Sequence, residues 1–162
     1  MTEPFKPLEI VIDTREQTPW HFEPWQANVS IGTLRTGDYA IAGDSGFAVE
    51  RKSLDDFLGT VSTGWDRFQK EIYRAKDARF PAFPIIIEGS LYQCCFTWSV
   101  EACVVKGPQH NHPKLVPAFV MRRIAELTMM GCQVTFCENA AYASAVAYAL
   151  LKERATALEE DK

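Results

Sequence analysis

The chain has 162 residues, 47% of them hydrophobic, 12% aromatic and 23% charged. That is enough to bury one domain-sized core without metal or disulfide staples, and too apolar for a disordered chain. The formal net charge of −4 argues against a protein whose main task is to coat nucleic acid, although acids gathered around a divalent metal would lower the total in an enzyme that acts on it.

In chain order, Leu8 to Ile12 reads as a buried strand ending at Asp13. Thr18 to Gln26, which holds Pro19, Trp20, Phe22, Pro24 and Trp25, reads as a packed loop in which the aromatics fill space rather than stack on bases. Val29 to Leu34 and Tyr39 to Ala42 are short strands separated by a turn at Thr36-Gly37-Asp38, and Gly43-Asp44-Ser45-Gly46 is a hairpin signal leading into a strand from Phe47 to Lys52. Ser53 starts a short helix, and Trp65 to Arg79 sets Phe68, Ile72 and Ala75 at helical spacing. Phe83 to Glu88 is a β-rich run closed by Gly89, whereas residues 90–114 show little beyond the loop signals Gly107-Pro108 and His112-Pro113. Leu115 to Met130 is helical, Gly131 stops it, Cys132 to Phe136 is a strand, and Asn139 opens an Ala-rich last helix. With no repeat and no linker, the order predicts one α/β domain over 1–162, a mixed central sheet flanked by helices.

The longest apolar runs, such as Ala145 to Leu151, fall short of the roughly 20 residues that span a bilayer, and Met1-Thr-Glu-Pro-Phe-Lys has no signal-peptide pattern. An intracellular protein with no membrane partner is expected. Cys94, Cys95, Cys103, Cys132 and Cys137 are odd in number and contain no CxxC pair, which suits reduced, buried thiols. Cys94, Cys95, Cys103, His110 and His112 are zinc-type residues, but their spacing fits no common finger or ribbon.

The most informative local pattern is the alternation from Phe47 to Lys52. Phe47, Val49 and Arg51 point one way, and Ala48, Glu50 and Lys52 the other. A carboxylate and an ammonium thus share a face, and Asp38, on the neighbouring strand, lies where a second carboxylate could join them. Two such oxygen donors suit a hard divalent cation; a solvated Glu–Lys pair on an exposed strand is the plainer reading.

Asp38…Glu50-x-Lys52 resembles the PD-(D/E)XK metal-dependent nuclease pattern. The longer string Glu50-Arg51-Lys52-Ser53-Leu54-Asp55-Asp56 resembles the signature of the XPF-type structure-specific endonucleases, relatives of the xeroderma pigmentosum group F nuclease. Val11-Ile12-Asp13-Thr14-Arg15-Glu16, Gly37-Asp38-Tyr39, and Arg67 with Glu71 resemble further family boxes in the same order, and the likeness runs over about residues 8–155. It implies a restriction-endonuclease-like fold and Mg²⁺- or Mn²⁺-dependent hydrolysis of branched or flapped DNA, in repair or recombination, in the cytoplasm or with DNA in nucleoid or nucleus. Too few residues follow Leu151 for the helix-hairpin-helix domain that larger members often carry.

By this resemblance Asp38 and Glu50 hold the metal, Lys52 positions or deprotonates the attacking water, and Asp56 adds a ligand or holds a metal-bound water. Ser53-x-x-Asp56 also has the form of a helix capping box, and the two roles are compatible. Asp13, Arg15 and Glu16 join the catalytic set, with a structural turn network as the alternative; Arg51 is expected to organise acids without touching the metal. Arg67, Lys70 and Arg74 form a basic stripe read as a phosphate track, the alternative being a solvated helix face. Arg67 and Glu71 are spaced for an i,i+4 pair. Asp38, Glu50 and Lys52 are all expected at a polar surface. The family's habit of pairing domains makes a homodimer or heterodimer expected, with helices Ala140 to Leu151 and Phe119 to Met130 as pairing surfaces because small residues permit close approach. A non-catalytic scaffold subunit, or a same-fold nuclease of a restriction system or mobile element, are the competing readings.

Overall fold

Alternating apolar residues set the strands, and one bridge joins two short runs of them into a single mixed sheet. The computed structural model describes residues 6–95, 97–99, 104–106, 112 and 114–161. Strand β1 (Glu9–Asp13) pairs in parallel with β2 (Asn28–Gly32) and antiparallel with β3 (Tyr39–Ile41). A second set, β4 (Glu50–Ser53), β5 (Phe83–Glu88) and β8 (Cys132–Phe136), is parallel. Tyr39 and Val49 exchange backbone hydrogen bonds of 3.1 and 2.8 Å across an antiparallel bridge, giving the order β2-β1-β3-β4-β5-β8. Regular strand therefore begins at Glu50 and not at Phe47. The chain turns earlier than the expected Gly43–Gly46 hairpin, at Ile41–Asp44, where Gly43 takes φ +83°.

Helices cover both faces, which explains why β5 is a continuous apolar run. On one face Phe83, Ile85 and Ile87 meet α1 (Leu54–Val61), α2 (Trp65–Asp77) and α4 (Pro117–Met129). On the other, Ile86 joins Ile10, Ile12, Tyr39 and the helix α5 (Ala140–Glu160). Ser53 Oγ accepts the Asp56 N–H at 3.1 Å to cap α1, and Asn139 Oδ1 accepts the Tyr142 N–H at 3.0 Å to cap α5. The unreadable 90–114 stretch contains a short helix, α3 (Leu91–Cys95), and a hairpin of β6 (Thr97–Ser99) with β7 (Val104–Lys106).

Two expectations about packing are settled by α5 and the aromatic loop. Ala143, Ala147 and Leu151 lie in the core beneath the chain's own sheet, so the small-residue face of Ala140 to Leu151 is a seat for β1, β3 and β5 and not a pairing surface. On α4, Val120 and Leu127 are likewise internal, while Met121 and Met129 remain exposed. Trp20 stacks on Tyr39 with centroids 4.6 Å apart and Trp25 on Tyr148 at 5.2 Å, so these rings are packing residues.

Gly37 fixes the approach of the loop to the next strand. Its φ is +79°, and a Cβ there would stand 2.7 Å from the Ala48 Cβ, an atom fixed to the backbone that moves only with its strand. Gly37→Ala is expected to lower unfolding free energy by about 2–4 kcal/mol, from left-handed strain and overpacking combined. The urea midpoint measures it, and a loss near zero would mean that the loop adjusts freely.

Candidate active site

Asp38 precedes β3, Glu50 opens β4, and the Tyr39–Val49 bridge sets the two side by side. The Arg51 backbone N–H donates to Asp38 Oδ2 at 2.8 Å, fixing the aspartate against the strand that carries the glutamate. The two-residue period of β4 places Lys52 on the Glu50 face, where its Nζ donates to Glu50 Oε1 and lies 5.0 Å from the Phe68 ring centroid. Glu71 of α2 accepts the Gly37 N–H at 3.3 Å and so faces the same group.

Of the three residues expected at a polar surface, Glu50 is buried, whereas Asp38 and Lys52 are half-buried. Glu50 is 4% exposed. Alternation along β4 fixes its face but not what lies over that face, and α2 lies there. Burial pushes the Glu50 carboxyl up to about 8, with Lys52 opposing and Asp38 and Glu71 reinforcing the rise. Burial likewise raises Asp38 to about 6, against the Arg51 N–H and Lys52 and with help from Glu16 and Glu71. For Lys52 burial acts downward, but Glu50, Asp38 and Glu71 together hold its ammonium above the ordinary value. The site is a cluster of acids around buried Glu50, in excess of its one lysine.

On the opposite face of β4, Arg51 organises acids as expected. Its Nη1 donates to Glu16 Oε1 at 2.9 Å, while Nε and Nη2 reach the two oxygens of Glu88 at 2.7 and 3.1 Å. Asp13 serves the turn after β1: its Oδ1 accepts the Arg15 N–H at 3.0 Å and Nε at 2.6 Å, and its Oδ2 accepts the Leu34 N–H at 2.7 Å. Burial raises this carboxyl, but Arg15 and the two backbone donors more than offset it, and its net shift is downward. Arg15 also donates to the Leu34 carbonyl at 3.1 Å. The turn network thus occupies Asp13 and Arg15, and Glu16 belongs to the Arg51 cluster.

Asp56 comes from the first turn of α1. Its side chain is exposed on α1, and among the described residues no three His, Cys, Asp or Glu side chains gather closely enough to hold a metal. Asp56 lines the wall of an adjoining cleft of about 460 Å³ shared by Lys52, Thr60, Arg67 and His112. His112 Nε2 meets Asp55 Oδ1 at 2.6 Å at its rim. Arg67 and Lys70 are exposed and Arg74 half-buried on α2. The expected Arg67–Glu71 pair is absent because Glu71 turns to Gly37 instead. Cys94, Cys132 and Cys137 are buried thiols; of the remaining zinc-type residues, Cys103, His110 and the Cys95 side chain lie outside the described residues.

Glu71, Glu88 and Asp55 were not singled out as site residues from sequence. Glu71 carried a signal, its place in a family box, but its partner comes from another element; Glu88 read only as the end of a strand.

A family profile described as the ERCC4 domain matches residues 12–150. The fold is similar to that of XPF from Aeropyrum pernix in complex with DNA, with TM-score 0.68 and 19% identity over 92% of this chain and 66% of that one. A second structure of XPF from the same organism gives TM-score 0.64 and 18% identity over 90% of this chain and 61% of that one. The fold is thus shared with these XPF structures and is the restriction-endonuclease-like α/β fold expected. A Methanocaldococcus jannaschii protein that carries the name of an ATP-dependent RNA helicase is 34% identical over 58 residues, 36% of this chain and 7% of the relative's length. The chain spans only part of each of these proteins.

Proposed function

The chain belongs to the ERCC4 domain family, and from that premise we propose that it is a metal-dependent endonuclease hydrolysing phosphodiester bonds in branched, flapped or forked DNA. The observation that carries this reading is buried Glu50 with half-buried Asp38 next to it and Lys52 beside them. The pair suits Mg²⁺ or Mn²⁺. Asp38 Oδ1 and Glu50 Oε2 meet no hydrogen-bond donor among the described residues, both carboxyls are raised, first by burial and then by their acidic neighbours, and such a cation takes one or two carboxylates while leaving other positions to water and phosphate. When bound, it supplies Lewis acidity toward the scissile phosphate and lowers the pKa of its water.

The chain's own groups do the rest. Lys52, kept charged by its acidic neighbours, offsets charge that develops on the phosphate oxygens and orients the attacking water. The Arg51 N–H holds Asp38 in place, and the Arg51 guanidinium ties β4 to Glu16 and Glu88. Asp56, on the cleft wall, is placed to hold a further water. Pairing with a second copy or a relative is proposed through α4, whose Met129 and Met121 are exposed; sedimentation velocity at rising concentration tests it, and a chain that stays monomeric would remove it.

DNA is bound in one Aeropyrum pernix structure, and the same partner is proposed here, along Arg67, Lys70 and Arg74. Each phosphate contact on duplex DNA contributes about −0.9 to the slope of log K against log salt. Replacing Lys70 and Arg74 with alanine is expected to weaken binding to every sequence alike and flatten that slope by about one to two units; an unchanged slope would make the stripe a solvated face. The substrate class is tested with labelled duplex, flap, fork and four-way junctions in Mg²⁺. Preferred cutting at the branch supports the proposal, and equal cutting of plain duplex overturns its structure-specific part.

A further inference from the structure

A second cavity opens on the same face of the sheet as the carboxylates. It has a volume of about 640 Å³, and Val11, Ala40 and Ala48 form its floor, with Phe80 beyond the end of α2 as one wall. Ala40 lies two residues along from Asp38, and Ala48 two residues before Glu50. With a period of two, both alanines share the face of the acids, about 6–7 Å further along the strands. Both alanines are 2% exposed, so they form the bottom of the cavity, and their small side chains leave its volume above them.

The rim is polar. Thr33, Arg35 and Thr36 come from the loop between β2 and β3, and Ser45 from the turn before β4. Thr36 is 5% exposed, yet its hydroxyl makes no hydrogen bond among the described residues. A buried hydroxyl without a partner costs stability, and such groups ordinarily find a protein, water or ligand partner. Arg35 is exposed at the mouth. An apolar floor, one buried hydrogen-bonding group and a cation at the mouth are what an unstacked nucleobase, with its phosphate outside, requires.

We propose that this cavity receives the base of an unpaired nucleotide next to the cut phosphate, with the Thr36 hydroxyl on the base edge and Arg35 at the backbone. This deepens and rests on the nuclease reading: a paired base could enter only at the cost of unstacking, a few kcal/mol that an already single-stranded base at a branch does not incur. The pocket would thereby favour cleavage where duplex gives way to single strand.

The test uses the full chain with flap DNA that carries 2-aminopurine at successive positions around the branch, in Ca²⁺ to permit binding and in Mg²⁺ to permit cutting. The expected result is a change in emission at one position beside the cut, about fivefold weaker binding for Thr36→Val, the worth of one hydrogen bond, and loss of the emission change in Ala40→Ile, which fills the floor. An abasic residue at that position should abolish the difference between wild type and Thr36→Val. Emission changes equal in wild type and Thr36→Val, together with equal affinity, would overturn the pocket even if the DNA is cut. Absence of any cutting with the emission change present would overturn the nuclease reading and leave the base site standing. Because Thr36→Val preserves shape, a folding failure of Ala40→Ile does not remove the test.

Discussion

Glu50→Gln is expected to raise the melting temperature of the metal-free protein at pH 8 while removing cleavage. Glu50 is pushed up to about 8 by burial, from an ordinary value of 4.5. Between those pH values the folded chain holds a proton that the unfolded chain has released. Stability is therefore fully present below the unfolded value and is lost as pH rises through 8. Asp38, raised to about 6, adds to the same loss between about pH 4 and 6. Glutamine keeps the shape without the ionisation, so its advantage should grow as the pH rises and vanish near pH 4. Lys52 loses one partner in the variant, but Asp38 and Glu71 still face it. At this chain length about 1 kcal/mol moves the midpoint by roughly 2–4 °C. Melting curves at pH 4, 6 and 8 check the sign, and a variant less stable than wild type at pH 8 would show that the Lys52 pair outweighs the cost of burying the acid. Mg²⁺ should reverse the order by stabilising wild type alone.

Arg51→Met should cost about 3–5 kcal/mol of unfolding free energy, the penalty for stranding buried charges. The Arg51 side chain is 13% exposed, and its partners Glu16 and Glu88 are 8% and 14% exposed. Lysine should recover little, since it cannot span both oxygens of Glu88 while also reaching Glu16. Urea unfolding measures both variants; a loss below about 1 kcal/mol would place this cluster with ordinary surface pairs.

What was legible in the sequence follows from periods and local chemistry. The two-residue period separated Arg51 from Glu50 and Lys52, and the structure keeps that separation. Ser53 and Asn139 announced their helices because a cap needs only its own next turn. What depends on another element was not legible. Glu50 is buried because α2 crosses its face, which nothing in β4 encodes. Glu71 pairs with Gly37, 34 residues away, and not with Arg67 one turn before it. The alanines of α5 have the same helical spacing whether they meet a second copy or their own sheet, and the sheet takes them. Asp56 lines the adjoining cleft because α1, capped by Ser53, follows β4 without a loop.

The central claim is that Asp38 and Glu50 hold a divalent cation with which this chain cuts DNA. Cleavage of a fluorescently labelled flap by wild type and by Glu50→Gln, as Mg²⁺ is titrated from zero in chelator, tests it most directly. Product should appear with wild type only as metal is added, and with Glu50→Gln at no metal concentration. Cutting in chelator, or cutting by Glu50→Gln at the wild-type rate, would contradict it.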